Sequence, residues 1–86
     1  MAEYPENFRY ETSDSTLHWD AVTGAVEYQI EYTQDPLQIS WQIVYSGGID
    51  TFCSFDQISG TYSVKGKTRI KGPWGIYSPN ENIDVP

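Results

Sequence analysis

The sequence predicts an all-β chain, a two-sheet sandwich of seven short strands. Two observations carry this reading. Apolar and polar residues alternate with period two in segment after segment. Turn-forming residues interrupt the alternation every eight to twelve residues (Ser13-Asp14, Thr23-Gly24, Asp35-Pro36, Gly47-Gly48, Ser59-Gly60, Gly72-Pro73 and Pro79-Asn80). A third observation is negative: no run of ten or more residues places apolar side chains at helical spacing.

Each strand can be placed in order. Phe8 and Tyr10 flank Arg9, and Leu17 and Trp19 flank His18. Tyr28, Ile30 and Tyr32 alternate with Gln29 and Glu31. Trp41, Ile43 and Tyr45 form the fourth run, in which Val44 breaks the polar side. Cys53 and Phe55 flank Ser54. The sixth run is the longest, with Tyr62, Val64, Gly66, Thr68 and Ile70 alternating with Ser63, Lys65, Lys67, Arg69 and Lys71. Ile83 and Val85 close the set around Asp84. The predicted core is Phe8, Tyr10, Leu17, Trp19, Tyr28, Ile30, Tyr32, Cys53, Phe55, Ile58, Tyr62 and Val64. It is rich in rings, which bury roughly 150–250 Å² each and suit a small domain without disulfides.

Composition excludes several function classes. The 86 residues are 38% hydrophobic and 20% charged, a globular balance for one small domain. No apolar run approaches the ~20 residues of a membrane-spanning helix. Met1 to Tyr10 carries two carboxylates, Glu3 and Glu6, and no apolar stretch of a signal peptide. A net charge of −7 argues against a phosphate-binding surface, so no nucleic-acid partner is expected. One cysteine and one histidine leave no basis for a disulfide framework or a metal cluster. No cofactor motif, nucleophile elbow or paired catalytic acids are visible, and the chain reads as no enzyme. The aspartates Asp14, Asp20, Asp35, Asp50 and Asp56 sit at turns, where this residue caps its own backbone. Outward His18 reads as a solvated side chain, and inward Cys53 as a small hydrophobe.

Four of the five bases, Lys65, Lys67, Arg69 and Lys71, lie on one strand. The outward residues of the third run are Glu27, Gln29 and Glu31; the fold implied by the resemblance described next pairs that run with the basic one, which makes a cross-strand charge ladder the expectation rather than a ligand patch.

Leu17-His18-Trp19-Asp20 followed by Gly24-Ala25-Val26-Glu27-Tyr28-Gln29-Ile30-Glu31-Tyr32 resembles strands B and C of a fibronectin type III domain. Trp41 with Val44 resembles strand C′. Phe55 and Ile58 resemble the end of strand E and the apolar plug after it. Gly60-Thr61-Tyr62-Ser63-Val64 resembles the start of strand F, with Tyr62 as the tyrosine-corner residue. Pro5, Gly75 and Ser78 also fall at family positions. The resemblance runs from Pro5 to Val85 and implies a seven-stranded immunoglobulin-like (fibronectin type III) β-sandwich. Residues 1–86 then read as a single domain cut from a longer chain. Gly66 stands where the family usually carries Val. A covering ring, first of all Trp19, is expected over it, and a bulge is possible there.

Trp19-Asp20-Ala21-Val22-Thr23-Gly24-Ala25 and Ser59-Gly60-Thr61-Tyr62 give a looser resemblance. They are similar to modules of bacteriophage tail-tip and tail-fibre proteins and of bacterial secreted proteins. This implies a structural or spacer module of an extracellular or virion assembly, with neighbouring domains as partners and the isolated domain a monomer. The alternative is recognition of a host-surface protein or glycan through the loop joining strands F and G. There Trp74, Pro73 and Lys71 are the candidate contacts, and Trp74 is expected to project over the flat B–C loop, Ala21 to Ala25.

Overall fold

Among the described residues the period-two segments become seven strands and no helix forms. In the computed structural model, which describes residues 3–86, they are β1 (Arg9–Glu11), β2 (Thr16–His18), β3 (Glu27–Thr33), β4 (Gln42–Gly48), β5 (Phe52–Ser54), β6 (Gly60–Arg69) and β7 (Glu81–Val85). Met1 and Ala2, where the reading of the amino-terminal ten residues begins, lie outside the described residues. The strands form a three-stranded sheet, β1-β2-β5, and a four-stranded sheet, β4-β3-β6-β7, with every pairing antiparallel. This is the strand order of a fibronectin type III-like sandwich.

Alternation decides which side chains meet between the sheets. Leu17, Trp19, Tyr28, Ile30, Phe55, Tyr62 and Val64 are fully or almost fully buried, and Phe8 joins them. The rings form two groups. Trp19 packs on Phe8, Tyr28 and Tyr45, while Phe55 packs on Tyr10, Tyr32 and Tyr62. Most of these contacts are tilted or edge to face, as the ring quadrupole prefers. Tyr10, Tyr32 and Cys53 are only partly covered and pack against this core from its margin. The Cys53 thiol is pushed up to about 11 by burial, which makes it unreactive.

Three core expectations are corrected. Ile58 is 77% exposed. Its carbonyl, not its side chain, is what the fold uses: the Tyr62 hydroxyl donates to it at 2.6 Å and closes the tyrosine corner. Val22, Ile83 and Val85 complete the core instead. Over Gly66 lies no tryptophan. A Cβ there would meet Ile30 Cδ1 at 2.6 Å and Pro5 Cγ at 2.7 Å, so the bare backbone accommodates the fully buried Pro5 from the amino-terminal segment. Pairing between β3 and β6 runs without a register shift through Gly66. The bulges are on β4. Two steps along β3, Tyr28 to Gln29 and Ile30 to Glu31, each correspond to an extra residue on β4, Gly47 and Val44. Gly47 has φ 88°, the left-handed region where glycine is favoured. The Val44 bulge reconciles the broken alternation: Ile43 faces outward and Val44 and Tyr45 pack inward. Bulges of this kind also twist an edge strand away from unwanted pairing.

Two ends of the sandwich can be distinguished. At the upper end β3 begins, β6 finishes, and Val26 N–H donates to Arg69 O at 2.8 Å. At the lower end Thr33 pairs with Ser63 and Gly60 with Val85. Glu81 ties the sheets together by accepting the Asn7 and Phe8 N–H groups at 3.0 and 2.9 Å.

Candidate interaction surface at the β6–β7 connection

Strand β7 begins only at Glu81, so the upper half of β6 is covered by the irregular stretch that follows Ile70. That stretch is anchored through its backbone. Gly75 N–H donates to Thr68 O at 3.0 Å, and Ser78 N–H donates to Gly66 O at 2.7 Å. The Ser78 hydroxyl in turn accepts the Gly66 N–H at 3.0 Å. Ser78 thus replaces the partner strand that β6 lacks there, and this explains its burial.

Anchoring brings Tyr77 and Trp74 onto the outer face of the four-stranded sheet. The register of that face matches the expected ladder: Glu27 opposes Arg69, Gln29 opposes Lys67 and Glu31 opposes Lys65. Only the first rung is an ion pair, with Arg69 Nε 2.8 Å from Glu27 Oε1. The two lysines are held by rings. Lys65 Nζ lies 4.2 Å from the Trp41 ring centroid and 4.5 Å from that of Tyr77. Lys67 Nζ lies 4.9 Å from Tyr77 and 5.1 Å from Trp74. The side chains therefore run Trp41, Lys65, Tyr77, Lys67, Trp74 as an alternating stack of rings and ammonium groups.

The carboxylate of the ladder's middle is redirected. The Tyr77 hydroxyl donates to Glu31 Oε2, and Gln29 Nε2 donates to the same oxygen at 3.1 Å. Glu31 is buried under this cover. Burial and the Glu31 contact push the Tyr77 hydroxyl up to about 12, so it stays protonated as the donor.

The three residues singled out in the sequence separate. Lys71 and Pro73 are exposed and rim an open depression with Ile70, Ile76 and Thr68, and with Glu3 beside it. Trp74 does not line this depression. It is partly buried and gives a face to Lys67 rather than standing over the Ala21 to Ala25 loop. That loop meets Ile70 instead, since a Cβ on Gly24 would lie 3.4 Å from Ile70 Cγ2. Tyr77 and Trp41, the middle and one end of the stack, carry no signal of this role in the sequence. Alternation groups Trp41 with Ile43 and Tyr45, but the extra residue at Val44 splits that run, leaving Ile43 outward and Tyr45 inward, and Tyr77 lies outside every strand, where parity assigns no face.

The turn aspartates divide as well. Asp35 accepts the N–H groups of Leu37, Ile39 and Ser40 at 3.0–3.2 Å, which lowers its carboxyl below the usual range. Asp20 pairs with Arg9 at 2.9 Å, Asp14 accepts the Thr16 hydroxyl, and Asp50 accepts the Tyr45 hydroxyl. His18 is half-buried, shares a 2.8 Å hydrogen bond with Thr16 and stacks on Phe52.

No family model matches the chain, and no curated protein sequence does either. Its structure is similar to that of an Fn3-like protein from Clostridium thermocellum, with a TM-score of 0.72 and 17% sequence identity. The likeness covers 96% of this chain and 92% of that one. At such low identity the likeness shows the fold, and the chain accordingly has the fibronectin type III-like fold: all-β, with seven strands in antiparallel sheets of three and four.

Proposed function

We propose that the chain is a non-catalytic spacer or interaction module of a larger extracellular or virion assembly, with a bacteriophage tail as the setting its sequence style suggests. The observation that carries this reading is the stack on the outer sheet face. It engages Lys65, Lys67, Tyr77 and Glu31, groups that could otherwise serve a ligand, in holding the β6–β7 connection down. A loop fixed in this way makes a stiff module with set ends, which suits a spacer. Open, shallow depressions at the surface suit the same reading, because enzymes sequester their substrates in deeper clefts.

A second reading is favoured by the exposed apolar rim of Ile70, Pro73 and Ile76 beside Lys71. In it, the connection recognises a host-surface protein or glycan. Lys71 and Pro73 make the contact, and Trp74 supports them from the sheet side.

One experiment separates the two. Lys71→Ala with Pro73→Ala, and separately Trp74→Ala, are introduced into the protein in its natural assembly. A spacer leaves both assembly and attachment to the target surface intact in the double variant. A recognition module assembles normally and loses attachment. Failure of particles or complexes to assemble with Lys71→Ala/Pro73→Ala would count against both readings of the loop.

A further inference from the structure

At the lower end three glutamines from three elements line one depression of about 290 Å³. Gln34 belongs to the β3–β4 connection, Gln42 opens β4, and Gln57 belongs to the β5–β6 connection. Tyr32 and Thr33 at the end of β3 and Tyr62 near the start of β6 complete the lining on the sheet side. No lysine or arginine takes part in it.

The lining is held in place while its amides stay free. The Tyr32 hydroxyl donates to Gln42 Oε1 at 3.3 Å, which orients that amide and leaves its NH₂ group without a partner among the described residues. Gln34 lies over bare backbone, since a Cβ on Gly60 would stand 2.6 Å from its Nε2. Gln57 is half-buried, and neither its amide nor that of Gln34 has a hydrogen-bond partner among the described residues. The connection beside them is braced: Thr33 Oγ1 donates to Ser40 O at 2.6 Å and accepts the Asp35 N–H at 2.9 Å. Asp35, the carboxylate of the lining, uses both oxygens to accept the N–H groups of Leu37, Ile39 and Ser40, so it offers little to a cation.

We propose that this depression binds a neutral saccharide residue. A primary amide presents a donor and an acceptor side by side in one plane, and adjacent hydroxyls of a sugar ring present the same pair in return. Three such amides around one spot suit a compact ring that carries hydroxyls along its rim, and the uncovered part of the Tyr32 ring suits its C–H face. Other chemistries fit the lining less well. A phosphate or sulfate calls for a base. An apolar ligand calls for more than tyrosine rings among amides and hydroxyls. An extended peptide calls for donors and acceptors in a row along a strand edge, whereas these converge from three sides. A half-buried amide without a partner is destabilising, and a ligand that satisfies it removes that cost. The site lies at the end opposite to Lys71 and Pro73, so the inference goes beyond both readings above and rests on neither.

The depression is at the lower limit of ligand sites, ~300–1,000 Å³, and accommodates one sugar residue such as a chain end. Each neutral hydrogen bond contributes about a 2- to 13-fold gain in affinity, so four give a dissociation constant on the order of 10⁻³ M.

The test is a nitrogen–proton correlation titration of the ¹⁵N-labelled chain, in which glutamine side-chain NH₂ groups give their own signals. The probes are the methyl glycosides of glucose, mannose and galactose and N-acetylglucosamine, each taken to about 50 mM, well above that dissociation constant. A neutral blocked dialanine serves as the peptide probe. At least one saccharide should shift the side-chain signals of Gln34, Gln42 and Gln57 saturably and leave the backbone signals from Ile70 to Tyr77 in place. Gln34→Ala, Gln42→Ala and Gln57→Ala should each weaken binding about 2- to 13-fold. Far-UV circular dichroism establishes that each variant is folded, and exposed Gln34 keeps the test open where another substitution disturbs the fold. The proposal is overturned if no saccharide shifts these signals saturably, or if the dialanine shifts them and the sugars do not. Shifts centred on Ile70 to Tyr77 overturn it as well, and so does binding that all three folded variants retain at full strength.

Discussion

On the inner face of the four-stranded sheet Tyr28, Tyr32 and Tyr62 meet other rings. On the outer face Trp41, Tyr77 and Trp74 meet ammonium groups. The difference follows from water. Between the sheets a charge would lose its hydration, so rings there find edge-to-face partners and turn hydroxyls toward the backbone, as Tyr62 does to Ile58 and Tyr28 does in accepting the Val22 N–H at 2.8 Å. Outside, each lysine buries its stem along an aromatic surface and keeps its ammonium partly hydrated over a ring face. Neighbouring residues of one strand thus carry two kinds of order: Val64 and Gly66 belong to a dry core, Lys65 and Lys67 to a wet stack. The comparison teaches that rings alone do not mark a core, and that what the ring faces are given decides their contribution to stability.

The inner face should be far the more sensitive. Trp19→Ala removes the centre of the upper ring group and should cost about 3–5 kcal/mol, against a total of roughly 5–15 kcal/mol for a domain. Urea denaturation should find it unfolded or close to it. Retention of most of the wild-type stability would mean that the upper ring group repacks without its centre.

Gly66→Val tests the inner face from the opposite direction, by overfilling it. Its Cβ would lie within 2.7 Å of both Ile30 and Pro5, and displacing Pro5 should cost about 1–3 kcal/mol. The accompanying signature is faster hydrogen exchange at the amino-terminal segment, which a cost confined to β6 would not produce.

On the outer face, Tyr77→Phe removes one donor to Glu31 and should cost about 1 kcal/mol in chemical denaturation at neutral pH. Alkali gives a sharper reading. The folded hydroxyl titrates at about 12 and the unfolded one near ~10, so the protonated form is favoured by folding. Its stabilisation is complete below pH ~10 and is lost as pH rises toward 12. Tyr77→Phe should flatten stability across that window. An equally steep decline in the variant would place the alkaline sensitivity in other groups.

Acid probes the lower turn. The Asp35 carboxyl is held low by the N–H groups of Leu37 and Ile39, so its contribution is present above the unfolded pKa of ~3.9 and is lost as pH falls through the lower folded value. Asp35→Asn should reduce the acid dependence of melting in that region.

The smallest effect is expected at the end of the stack. Trp74→Ala leaves Lys67 its contact with Tyr77, and an exposed cation–ring contact is worth about 0.5–1 kcal/mol. Amide exchange around Gly75 should rise more than global stability falls. A loss comparable to that of Trp19→Ala would show Trp74 to be part of the core after all.

Period-two alternation determined the strands, most of the core and the outward facing of Glu27, Gln29 and Glu31 and of Lys65, Lys67 and Arg69, because side-chain parity on a strand is a local property of the backbone; the resemblance to fibronectin type III domains put these two strands side by side, and the assembled sheet decided which residues oppose each other. The exposed position of Ile58 was beyond the reach of alternation. Parity fades outside strands, and there only the tyrosine corner decides which part of the residue is used. The same holds for Pro5 against Gly66, joined across sixty residues of chain, and for Tyr77 between two lysines. Trp74 could be read as a loop residue from Pro73 and Gly75 beside it. Its choice of Lys67 over open solvent was settled by the backbone bonds of Gly75 and Ser78 to β6, which form only after that strand is in its sheet. Local sequence carries the periodicity of each strand, whereas the partners of irregular segments are set by the surfaces that the assembled sheets present.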